Sequence, residues 1–107
     1  MDNQHRKLKG YRELLPEEID LMNRIKSKGC ELLLLQQELM RRIETDFEVK
    51  QAAAKSSQHA PNDFGSDECV EFNRFMSAEP LRWAAIGKTD IQTGIMALVR
   101  AVAQPAV

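Results

Sequence analysis

The chain has 107 residues, a formal net charge of −1, 43% hydrophobic and 29% charged residues, and only 6% aromatics. That length predicts one domain, residues 1–107, with a modest core, so association is a natural way to cover more surface. The near-zero charge argues against a protein that coats DNA through overall charge. The two cysteines, Cys30 and Cys69, stand in no CxxC or CxxH arrangement, so neither a metal site nor a disulfide framework is indicated.

The opening MDNQHRKLKG is polar and basic and has no apolar h-region. It does not read as a signal peptide, and no run of about 18 apolar residues is present to span a membrane. The expected compartment is the cytoplasm. A basic arm covers residues 1–14. In its first twelve residues His5, Arg6, Lys7, Lys9 and Arg12 stand against Asp2 alone. Two readings are open: a solvated, frayed terminus, or an anion-binding arm in which Tyr11 offers a stacking surface.

Pro16 followed by Glu17 and Glu18 marks a helix start, because proline suits the first helical position and carboxylates there complement the helix dipole. The helical pattern runs to about Ile43, and the good helix formers of residues 45–55 can extend it. One row reads Leu15, Ile19, Met22, Lys26, Gly29, Leu33, Gln36, Met40, Ile43; a second reads Leu21, Ile25, Leu32, Leu35, Leu39. The run Leu32 to Leu35 points apolar groups nearly all round the axis, which predicts cover from other subunits. Lys26 is the odd member of the first row. Either it snorkels to water or its ammonium meets a bound anion. Tyr11 lies upstream of this helix, so a fold-back or a second subunit is needed to bring the two together.

Residues 56–67 concentrate Ser, Asn, Asp, Pro and Gly, which is loop chemistry. His59 lies in this loop without partner ligands and reads as solvated. Val70, Phe72, Phe75 and Met76 fit a short helix over 68–77. Ser77 with Pro80 three residues on predicts the N-terminus of the last helix, from about Ala78 to Ala103, stopped by Pro105. In that helix Ile91, Ile95, Leu98 and Val102 form one apolar row, and Gly87, Gly94, Ala97 and Ala101 run beside it. Interior glycines cost roughly 1 kcal/mol each relative to alanine. The small face therefore predicts a second helix, from this chain or a neighbouring copy. The pattern is all-α, with no strand signal and no internal repeat.

Catalytic patterns are missing. There is no GxxxxGK[ST], GxGxxG or HExxH, neither histidine has a Ser or Cys at motif spacing, and the carboxylates are spread along helix faces. No cofactor or metal is indicated, and a binding or interaction module is a better reading than an enzyme.

Two segments carry a family resemblance: YRELLPEEIDLMNRIKSKG (Tyr11 to Gly29) and RWAAIGKTDIQTGIMALVRAVAQP (Arg82 to Pro105). Together they resemble the phage anti-CBASS proteins that sequester cyclic-oligonucleotide signals, and the second also resembles the helical-hairpin domain shared with the phage anti-Thoeris sponges. Residues 50–76 lie outside the resemblance and look like a variable segment. The resemblance implies antiparallel helical hairpins of two long helices assembled as a homohexamer in the cytoplasm of the infected bacterial host. It implies non-catalytic binding of cyclic dinucleotides such as 3′,3′-cGAMP between two protomers, so that the CBASS effector is not activated. In the family, a tyrosine before the first long helix stacks on the bases and a lysine early in that helix meets the phosphates. These roles fall on Tyr11 and Lys26. Some members also hold cyclic trinucleotides in separate pockets, through an arginine that matches Arg82; Thr89 is a weaker candidate for the same pocket. For Arg82 a surface ion pair with Glu79 is an equal alternative. The competing functional readings are a helical oligomeric module that binds a host protein or nucleic acid through the basic arm, and a phosphodiesterase that destroys the same messenger.

Overall fold

Proline at position 16 lacks the N–H that a first helical turn leaves unpaired, and the first helix of the computed structural model begins there. The structure describes residues 12–106. Helix α1 (Pro16–Ser57) runs unbroken for 42 residues, α2 covers Asp67–Ala78 and α3 covers Pro80–Ala103. No strand occurs among the described residues, so the fold is all-α as expected. The extension of α1 beyond Ile43 is complete, which shortens the polar connection to residues 58–66.

Glu18 reaches back from the first turn of α1 to accept the Leu15 N–H at 2.9 Å, one half of a capping box. At the other end of α2 the expectation needs correction. Ser77 is not a cap; it lies inside α2. The serine that caps is Ser66, whose Oγ accepts from the Cys69 N–H at 3.1 Å. A single residue, Glu79, separates α2 from α3, in the left-handed conformation at φ 52°, and its N–H donates to the Met76 carbonyl at 3.1 Å. Pro80 cannot continue the preceding helix and opens α3. Gln104, also left-handed at φ 51°, ends α3 one residue before Pro105.

The residues divide into two compact units. The first holds residues 12–34 with 89–106, and the second holds 35–88. In the first, α1 and α3 run antiparallel: Arg12 bonds to the Val102 and Ala103 carbonyls, and Gly29 lies against Ile95. A Cβ at Gly29 would overlap Ile95 Cδ1 and lie 2.6 Å from its Cγ1, so the close approach in this chain rests on Gly29. The glycines expected to receive a helix do not do so here. Cβ atoms built at Gly87 and Gly94 meet nothing within 4 Å. Of the two origins open for that second helix, the described residues of this chain do not supply it.

In the second unit Ile43, Phe75 and Ala84 form the buried cluster, with Met40 and Phe47 packed on it. Gln36 fills the polar position of the inward row by donating to the Ala84 carbonyl at 3.0 Å. Cys69 is buried, and Glu71 of α2 pairs with Lys50 of α1 at 2.9 Å and with Arg74 at 2.6 Å.

The two rows of α1 part company. The first is the inward one over most of its length, from half-buried Met22 and buried Gly29 to buried Ile43. The second is the outer one beyond half-buried Ile25: Leu35 and Leu39 are half or more exposed, Leu32 is 49% exposed, and Leu34 beside that row is 66% exposed.

Candidate functional site

Three basic residues alternate along α1, at positions 24, 26 and 28, all exposed. Arg24 Nε bonds Asp20 at 3.0 Å, and Lys28 Nζ lies 3.4 Å from Glu31. Both pairs follow from helix spacing, since residues three or four apart share a face. Lys26 has Met22, Asn23, Gly29 and Cys30 at those spacings, none of them acidic, and it makes no ion pair among the described residues. The residue is exposed, because its long stem carries the ammonium past half-buried Met22 and buried Gly29 to the surface.

Beside this strip lies a groove of about 440 Å³ between α1 and α3. Ile25, Gly29 and Leu32 form one wall and Ile91, Gly94, Ile95 and Leu98 the other, with Arg24 and Lys28 at its rim. Its floor is apolar, which suits a covering helix and not a phosphate. Lys26 does not line it. The charge and the apolar trough are thus adjacent features of the same unit with different chemistries.

Tyr11 lies outside the described residues. Its neighbour Arg12 is firmly placed: Nε donates to the Ala103 carbonyl at 3.0 Å, Nη2 to the Val102 carbonyl at 2.6 Å and to Glu18 Oε2 at 2.8 Å. The hydrogen bond from Arg12, then the one from the Leu15 N–H, lowers the Glu18 pKa below the ordinary carboxylate range. Sequence reading counted Arg12 only as one charge of the basic arm. Its distant partners are backbone carbonyls, which leave no mark in residue type.

Arg82 and Thr89 fall in different units and are placed separately. Arg82, in the first turn of α3, makes the ion pair that was its alternative role, with Nη1 3.3 Å from Glu79 Oε2, and its Cζ stands 5.1 Å from the Trp83 ring. Both contacts are exposed and weak, so they leave the guanidinium available to a stronger anion. The Glu79 carboxylate beside it opposes one. Thr89 is exposed on α3.

Among the described residues no group of three or more His, Cys, Asp or Glu is placed to hold a metal ion, and no helix is long and apolar enough to cross a membrane. His59 is exposed in the α1–α2 connection.

Comparison with known proteins adds two findings. Residues 3–103 match the family model described as the Acb2/Tad1 hairpin domain. Anti-CBASS protein 2 of Pseudomonas phage JBD67 is 69% identical over 105 residues, covering 98% of this chain and 97% of its own. Both matches run through residues 50–76, the segment without resemblance in the sequence reading.

Proposed function

This chain belongs to the Acb2/Tad1 hairpin-domain family, and from that membership we propose that it is a phage immune-evasion protein that blocks CBASS signalling by sequestering cyclic dinucleotides, such as 3′,3′-cGAMP, without cleaving them. It acts in the cytoplasm of the infected host as a homohexamer. Each ligand sits between two protomers, with Tyr11 stacked on a base and Lys26 on a phosphate. Arg82 serves a second, cyclic-trinucleotide pocket.

The observation that best supports this reading is Lys26. Arg24 and Lys28, on either side of it, have their charge matched within one helical turn, whereas Lys26 has no acidic partner there. An ammonium so placed is available to an outside anion without first breaking a pair among the described residues. Base stacking contributes about 1–3 kcal/mol per base, and a hydrogen bond to a charged group about 1.5–3 kcal/mol. A ring-shaped dianion presents both kinds of partner. One copy cannot surround such a ring, and two can. A sponge works by stoichiometry and affinity and requires no nucleophile.

The test is to incubate the protein with 3′,3′-cGAMP, separate protein from free ligand, denature the protein fraction and identify what it releases. Intact ring supports sequestration. Linearised product indicates a phosphodiesterase, and an empty protein fraction indicates an interaction module.

A further inference from the structure

The last turns of α1, the first turns of α2 and the connection between them border a second cavity, of about 260 Å³. Hydrogen bonds hold its frame. Ser66 Oγ accepts from the Cys69 N–H at 3.1 Å and lies 2.6 Å from Ser57 Oγ, which donates to the Ala54 carbonyl at 2.8 Å. The Cys69 thiol donates to the same carbonyl at 3.5 Å. The end of α1 is thereby tied to the start of α2, and the walls between them are pre-organised by the chain itself.

Three kinds of group line the space. Phe64 and Phe72 are aromatic, and Phe64 is 60% exposed although it borders a cavity that reaches buried Ala54 and Cys69. Gln51, Gln58 and Asn73 bring carboxamides, each with both donors and an acceptor. Lys55 brings the one charge of the lining, and no carboxylate lines the cavity to match it. None of these four polar side chains has a hydrogen-bond or ion-pair partner among the described residues. Aromatic rings stack on the π-face of a base, a carboxamide pairs with the donor–acceptor edge of adenine, and a lysine meets phosphate as a point charge. The volume decides how much of such a molecule enters. An apolar cavity of about 150 Å³ takes up benzene, and pockets that enclose whole drug-sized ligands begin at about 300 Å³. A purine ring therefore fits inside, and its sugar and phosphate stay at the rim, where Lys55 is exposed.

We propose that this cavity is a binding site for a purine nucleoside monophosphate, with the base against Phe64 and Phe72 and the phosphate at Lys55. The cavity lies wholly within the unit of residues 35–88, and Lys26 belongs to the other unit. The site is thus separate from the proposed cyclic-dinucleotide contact and does not depend on it.

The full-length chain has four phenylalanines, so fluorine-labelled phenylalanine gives four NMR signals, of which those of Phe64 and Phe72 are assigned from Phe64→Leu and Phe72→Leu. Adenosine monophosphate should move both signals to saturation. It should bind about tenfold more tightly than adenosine, which lacks the charged contact, and more tightly than cytidine monophosphate, whose smaller ring stacks less. Phe64→Ala should weaken it about tenfold, within the range for one stacked base. In Lys55→Gln, adenosine and its monophosphate should bind alike, and Lys26→Ala should change nothing. Both Phe64 and Lys55 are exposed, so the fold survives either change. No saturable movement of the Phe64 and Phe72 signals, equal binding of cytidine monophosphate, or affinity indifferent to both Phe64→Ala and Lys55→Gln overturns the proposal. So does a loss of binding in Lys26→Ala. Failure to retain 3′,3′-cGAMP, with these signals still responding to adenosine monophosphate, removes the sequestration reading alone.

Discussion

Under the proposed function, Lys26 is the residue on which ligand chemistry bears most directly. Lys26→Ala removes an exposed ammonium with no ion pair among the described residues, so it should leave the thermal midpoint nearly unchanged. Affinity for 3′,3′-cGAMP should fall about 10- to 100-fold, the equivalent of one charged hydrogen bond; thermal melting of the variant checks the first statement and titration calorimetry the second. Gly29 makes the opposite prediction. Alanine there gains up to about 1 kcal/mol in helix propensity. It also drives a methyl into Ile95, whose Cγ1 lies 2.6 Å from the built Cβ and whose branched χ1 is stiff. Overpacking costs about 1–3 kcal/mol, so Gly29→Ala should lower the melting midpoint and Ile95→Ala should recover part of the loss. Glu71 carries a pH prediction. The hydrogen bond from Arg74, then that from Lys50, outweighs desolvation and brings its pKa down from 4.5 to about 2. A depressed carboxylate stabilises the fold above its unfolded pKa and loses that contribution as pH falls from about 4.5 toward 2. The group is partly exposed and screened by solvent, so the effect is small. The difference in melting midpoint between the wild type and Glu71→Gln should be largest above pH 4.5 and fade toward pH 2, and a difference constant with pH would contradict the assignment.

At the scale of elements, the two apolar rows of α1 were legible, because a 3.6-residue period shows directly in residue order. Which row faces inward was not legible. Gly29 decides it, since its missing Cβ admits Ile95, and that depends on the helix partner rather than on periodicity. The α2–α3 junction was misread at Ser77 for a different reason. Glu79 takes a left-handed conformation that residue type disfavours, so the turn falls where no glycine marks it. The Arg12 clasp was hidden for the reason that hides most caps: its acceptors are carbonyls about ninety residues away, at separations of 90 and 91. For the candidate site, Lys26 stood out as an anomaly and Tyr11 as an available stacking surface, while their joint ligand role came only through resemblance. Gly94, which lines the apolar groove and meets open space, tests the neighbouring-copy origin of the helix that the small face should receive. Gly94→Leu should leave α-helical content intact and dissociate the oligomer in sedimentation. An unchanged sedimentation coefficient would remove that face from the interface.

At the scale of the molecule, the chain on its own buries very little. Only Ile43, Ala54, Cys69, Phe75 and Ala84 are buried hydrophobics among the described residues, while Leu34, Leu35, Trp83 and Met96 are each more than half exposed. Large exposed apolar side chains, where they cluster, mark contact with other molecules. On the proposed reading, association and ligand capture are one problem: a ring held between copies needs the copies to meet first. The most direct measurement is a calorimetric titration of 3′,3′-cGAMP into a sample sized by light scattering, followed by recovery of the ligand. A hexamer that takes up about one ring for every two chains, and returns it uncleaved, is the predicted result. A monomer that gives no heat, or a sample that returns linear dinucleotide, would contradict it.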